Sequence, residues 1–186
     1  DELKRMGINL LPPDINRSGL VFEARSVEGD EVVMFGMGAI KGAGDIAIKS
    51  VLKAREKGEF KDFSDFVSRI DSSKVNKKVI ESLIKAGALD SFGYSRKAML
   101  SQIEEIVETA KKAGDAKKQA IGSLFGEGIE MTAVTLELSY MAEFEPMEIL
   151  EMEKESLGFY VSGHPLDKYR EILDEISYTL SSEIDD

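Results

Sequence analysis

The sequence predicts a mainly α fold, and three observations predict it. Apolar side chains recur at helical spacing in several windows between residues 36 and 112. Glycines close or open most of these windows, and residues that cap helices stand ahead of them. A short extended segment leads into this helical unit, and an acidic helical segment follows it.

Taken in order, Leu11-Pro12-Pro13-Asp14-Ile15-Asn16 is a turn, because two prolines forbid helix and bias what precedes them to extended backbone. Leu20–Phe22 and Glu31–Phe35 are short strand candidates flanking a stretch with Glu28-Gly29-Asp30, which suits a small hairpin. Residues 1–34 are expected to finish a domain that begins upstream. Phe35-Gly36-Met37-Gly38 then opens a glycine-paced turn. After Gly42-Ala43-Gly44 a helix is expected, with Ile46, Ala47, Ile48, Val51, Leu52 and Ala54 on its core face. That leaves Lys49, Lys53 and Arg55 nearer solvent, and Lys57-Gly58 as the stop.

Phe60, Phe63, Phe66, Val67 and Ile70 mark a short helix with Ser64 as its expected cap. Asn76 caps the next, whose stripe is Val79, Ile80, Leu83 and Ile84, ending at Ala86-Gly87. Ser95 caps a longer helix striped by Met99, Leu100, Ile103, Ile106, Val107 and Ala110, with Gly114 and Lys117-Lys118 at its frayed end. Residues 114–145 read as a linker. Met147–Leu157 is an acidic helix closed by Gly158, and a further amphipathic helix is expected from Leu166 to Ile176. The predicted division is 1–34, 35–113, 114–145 and 146–186.

Composition narrows the function. The chain has 186 residues, no cysteine and a net charge of −11. Disulfides and thiolate metal sites are therefore excluded, and a reducing, cytoplasmic setting is expected. No apolar run reaches the ~20 residues of a membrane span. Asp1 in place of a methionine suggests an excised piece of a longer protein. The charge is unevenly placed: residues 1–58 are neutral, 59–126 carry +2, and 127–186 carry −13. The last third should repel a phosphate backbone; the first two-thirds need not.

The chemistry centres on residues 36–49. Gly36-Met37-Gly38 with Gly42 imitates a dinucleotide fingerprint, but the segment ~20 residues on is charged and helical, where that fold needs a second strand. Two readings remain, a structural turn or a phosphate contact. In the second, glycines let backbone approach, the amides of a helix start donate to an anion, and Lys41 and Lys49 add charge. Ala39-Ile40-Lys41-Gly42-Ala43-Gly44 has a looser echo in Leu83-Ile84-Lys85-Ala86-Gly87-Ala88-Leu89, and each precedes a helix. Two such units are what a tandem helix-hairpin-helix domain would look like. After the second turn, Ser95-Arg96-Lys97 is either another phosphate contact or an ordinary capped helix start. Lys74, Lys77 and Lys78 read as a solvated face. Ser123-Leu124-Phe125 is an apolar pair in glycine-rich surroundings, either a docking peptide or a segment tucked on the helices. His164, the sole histidine, reads as a turn residue, and nothing in the chain reads as catalytic.

Five ordered stretches, FGMGAIKGAG, FKDFSDFVSRID, NKKVIESLIKAGALDSFG, SLFG and EKESLGFYVSGHPLDKY, together with LLPPDIN, resemble the bacterial replicative DNA polymerase III alpha subunits. The resemblance implies the end of the fingers, a tandem helix-hairpin-helix domain, and the approach to an oligonucleotide-binding-fold domain. It implies sequence-independent contacts to double-stranded primer-template DNA at Lys41, Gly42, Ala43, Gly44 and Lys49, and around Ala86, Gly87, Ser95, Arg96 and Lys97. It implies other replisome subunits as partners, among them a sliding clamp bound through Ser123, Leu124 and Phe125. In that peptide Ile121 stands where the family has glutamine, and Gln119 is two residues early. The catalytic aspartates and Mg2+ of such polymerases are expected elsewhere, so this segment should hold no cofactor and be inactive alone. The rival expectation is a protein-interaction module of the replisome with no DNA contact.

Overall fold

The computed structural model describes residues 7–27, 29–122 and 138–169. The described chain is mainly helical with a small three-stranded sheet. Its strands are β1 (Asn9–Leu11), β2 (Glu23–Val27) and β3 (Asp30–Met34), in the order β1-β3-β2. β1 runs parallel to β3, with Leu11 beside Met34, and β2 forms an antiparallel hairpin with β3, with Glu23 beside Met34. The expected strand at Leu20–Phe22 lies instead three residues later. The reason is that the carbonyls of Gly19 and Leu20 accept the amides of Met37 and Gly38 at 2.9 Å each, which holds Gly19–Phe22 against the glycine turn.

Five helices follow: α1 (Asp45–Arg55), α2 (Phe63–Arg69), α3 (Lys77–Lys85), α4 (Arg96–Gly122) and α5 (Pro146–Leu157). Local chemistry explains most of their ends. Asn76 caps α3 by accepting the Val79 amide at 3.1 Å. The helix closes in a Schellman arrangement: Gly87, at φ +78°, lets the Ala88 amide reach the Leu83 carbonyl and its own reach Ile84. The cap of α2 is Asp62 rather than Ser64, because Asp62 is the last extended residue and accepts the Asp65 amide at 2.8 Å. α4 runs through Gly114 to Gly122, beyond its expected end; one interior glycine costs only about 1 kcal/mol. Beyond Leu166 the expected helix shows one 3-10 turn, Asp167–Tyr169, and its remainder lies outside the described residues.

One core serves all these elements. It joins Ile48 and Val51 of α1, Phe63 and Phe66 of α2, Ile80 and Leu83 of α3, Met99 and Ile103 of α4, and Leu157 of α5. Ile15 is fully buried in it, from the proline-rich loop after β1. That loop is bonded into the helices: the Ile15 amide donates to Ala88 at 2.8 Å, and Asn16 makes two 2.8 Å bonds with the backbone of Phe60. Arg55, expected near solvent, turns inward and donates to the carbonyls of Ile15 and Ser18. Arg69 ties the connection between α1 and α2 by donating to Glu59, Ala54 and Gly58 carbonyls while lying 4.5 Å over the Phe60 ring.

Candidate nucleic-acid interface

The first glycine turn is built in two layers. Gly36 and Gly38 belong to the inner one: a Cβ on Gly36 would come within 2.3 Å of Val21 backbone, and one on Gly38 within 2.7 Å of the Leu20 carbonyl. These glycines exist for close packing and bind no nucleotide phosphate. The outer layer runs from Ile40 to Gly44. Ile40 and Ala43 are buried and anchor the turn, whereas Lys41, Gly42 and Gly44 are exposed. Gly42 and Gly44 take φ +87° and +68°, a region that favours glycine.

Gly44 is also the N-cap of α1, and no side chain caps that helix. The amides of Asp45, Ile46 and Ala47 therefore have no intrahelical acceptor, and none among the described residues. The positive end of the helix dipole lies there as well. Lys41 and Lys49 are exposed and form no ion pair among the described residues. Asp45 is the one acid in the first turn and opposes an incoming anion. The Lys41 amide is committed elsewhere, donating to the Ser156 carbonyl at the end of α5 at 2.9 Å.

The second turn is a different object. Ala86 and Gly87 are buried. Arg96, expected as a surface cation beside Ser95 and Lys97, is 5% exposed. Its guanidinium lies where a Cβ on Gly87 would be, at 2.4 Å. It bonds Asp90 at 2.7–3.2 Å, the Lys85 carbonyl at 3.3 Å and Glu153 at 3.3 Å. Burial works against the Arg96 charge, but the hydrogen bonds and field of Asp90 and Glu153 outweigh it and raise its pKa. The Asp90 carboxyl is raised as well, by loss of water more than Arg96 lowers it.

The start of α4 already holds an anion. Glu143 accepts the Arg96 amide at 2.7 Å on one oxygen and the Lys97 amide at 3.2 Å on the other. Ser95 accepts the Ala98 amide at 3.1 Å and donates to the Met141 carbonyl at 2.8 Å. The Lys97 ammonium is exposed and lies 5.5 Å over the Phe144 ring. Of the ten expected contacts, Lys41, Gly42, Gly44 and Lys49 thus share one open surface, with Ala43 anchoring it. Ala86, Gly87, Ser95 and Arg96 serve the fold, and Lys97 alone of the second group faces water.

Sequence reasoning missed Asp90, Glu143 and Glu153. Glu153 is 1% exposed and also accepts the amides of Val161 and Ser162 at 2.9 Å, so it joins Arg96 to the loop after α5. No local signal separates it from the surface glutamates of the same helix. Lys74 and Lys77 pair with Asp71 and Glu104, and His164 sits exposed in a turn, accepting the Leu166 amide. Ser123, Leu124 and Phe125 lie outside the described residues. Among the described residues no helix is long and apolar enough to cross a membrane.

The comparisons agree with this geometry. A family model described as helix-hairpin-helix motif matches residues 7–99, from β1 to the start of α4. The chain is similar to "DNA polymerase III subunit alpha" of Campylobacter jejuni, at 46% identity over 97% of its length. It is similar to the subunits of that name from Vibrio cholerae, 43% over 91%, and Thermus aquaticus, 37% over 96%. It spans only about 14–15% of the length of these relatives. A family model matched across half of the chain, over the residues that build both turns, shows that the chain belongs to the helix-hairpin-helix family.

Proposed function

We propose that this chain is a non-catalytic segment of a bacterial replicative DNA polymerase alpha subunit that grips duplex primer-template DNA behind the reaction centre. One observation carries the reading: the uncapped start of α1, with its unpaired amides, is flanked by the exposed Lys41 and Lys49. A backbone phosphate accepting those amides would be held without reference to base sequence. The polymerase chemistry and its Mg2+ belong to parts of the longer protein outside this segment, so the segment alone incorporates no nucleotide. A second role, tethering to a sliding clamp, falls to Ser123-Leu124-Phe125, with Leu124 and Phe125 filling a pocket of the clamp. Loss of clamp capture by Leu124→Ala/Phe125→Ala tests that role.

For the DNA reading, the 186-residue chain is titrated against a mixed-sequence duplex over a salt series. Affinity should fall steeply with salt, and Lys41→Ala/Lys49→Ala should weaken it and flatten the slope. Equal binding by parent and variant at low salt would refute the reading.

The rival reading, a protein-interaction module, is favoured by one feature. A groove of about 490 Å3, lined by Pro146, Met147, Leu150, Gly163 and Pro165, opens beside α5. Absence of duplex binding at low salt would move the assignment there.

A further inference from the structure

By sequence Ile46 belongs to the apolar series of α1, yet the helix turns it outward. The buried face is set by Ala47, Ile48 and Val51, and at about 100° per residue Ile46 falls on the far side from Ile48. Its side chain is 73% exposed, more than any other large aliphatic side chain among the described residues. A single exposed isoleucine is ordinary on a protein surface. What distinguishes this one is its setting. It occupies the second position of the uncapped helix, so its own amide is one of those without an acceptor. Lys49 stands one turn on, at i+3, and hence on the same side of the helix. Lys41 lies before it, across the glycine turn.

We propose that Ile46 is the apolar positioning residue of this phosphate-binding turn, resting on the deoxyribose face of the strand whose phosphate the α1 amides hold. The inference rests on the DNA-gripping reading above. Amides and lysines alone would accept any polyanion, because charge neutralisation carries no information about what lies beside the phosphate. In DNA the neighbour of each phosphate is an apolar sugar edge, and apolar side chains commonly serve proteins that meet the duplex through its sugars and minor groove. An isoleucine beside the held phosphate excludes water from that edge and fixes how the turn sits along the strand. Asp45, on the same turn, opposes phosphate, which makes an uncharged contribution more valuable at this position.

The test is titration of the full chain against a labelled duplex across a salt series, with inorganic polyphosphate as a sugar-free probe. Ile46→Ser should weaken duplex binding about threefold to tenfold at every salt concentration, since apolar contact is not screened. The slope of log affinity against log salt should stay that of the parent, polyphosphate binding should be unchanged, and Ile46→Leu should restore duplex affinity. Because Ile46 packs against little, an unchanged melting temperature shows that Ile46→Ser is folded. If Ile46→Ser binds duplex like the parent while Lys41→Ala/Lys49→Ala binds weakly, the role of Ile46 is overturned and the turn remains a DNA contact. If neither variant weakens binding, or the parent binds no duplex, both fall.

Discussion

The carboxylate of Glu143 receives the amides of Arg96 and Lys97, one on each oxygen, at 2.7 and 3.2 Å. It does for α4 what Gly44 leaves undone for α1. The two turns begin from similar sequences, and this one acidic residue, 47 positions from Arg96, makes them chemically opposite. The −13 charge of the last third is thus not only a repelling tail: Glu143, Glu153 and Glu155 each engage the helical unit.

Removing that contact should therefore act first on stability. Glu143→Ala should lower unfolding free energy by about 1 kcal/mol, the usual worth of a helix cap, and increase hydrogen exchange at the Arg96 and Lys97 amides. Arg96→Ala should do more, about 3–5 kcal/mol, because it strands Glu153 in the interior. Urea denaturation reads both. A change in Arg96 that left stability intact but weakened DNA binding would contradict its buried placement.

Glycines 42 and 44 should respond differently to the same substitution. Both have positive φ, so alanine at either carries a strain of about 1–2 kcal/mol. A Cβ on Gly42 would also meet the Ser82 hydroxyl at 2.6 Å, whereas one on Gly44 meets nothing within 4 Å. Gly42→Ala should be the more destabilising, and Ser82→Ala should recover part of that loss. Additive effects in the double variant, measured by chemical denaturation, would show that the hydroxyl is not the obstacle.

The raised carboxyl of Asp90 gives a pH dependence of a less common sign. Its folded pKa stands above its unfolded value, so the folded state binds more protons over the interval between them. Asp90 therefore contributes stability that is fully present below its ordinary value near 3.8 and declines as pH rises through the folded value. Asp90→Asn should remove this component, so the melting temperature of the variant should gain relative to the parent as pH rises through that window. Parallel profiles would indicate that Arg96 keeps Asp90 ionised throughout.

Much of the fold was legible from local pattern. Asn76, Ser95 and the stripe of α3 are decided within a few residues, where capping and 3.6-residue periodicity operate, and each stands as the sequence predicts. Where competing caps lay close together, as at Asp62 and Ser64, the pattern could not choose; backbone entry angle did. Ile46 shows the same limit on a helix face. Six apolar residues in nine is more than one face can hold, and packing selected Ile48 and Val51.

By itself the sequence determined the order of helices, the glycine turns between them and the resemblance that named their family. Those depend on neighbours in the chain. Only the tertiary structure decided which turn meets water. The second is closed by Ile15 from far upstream and by Glu143 and Glu153 from far downstream, contacts that no local period encodes. The first stays open because its helix begins on glycine and no distant carboxylate reaches it among the described residues.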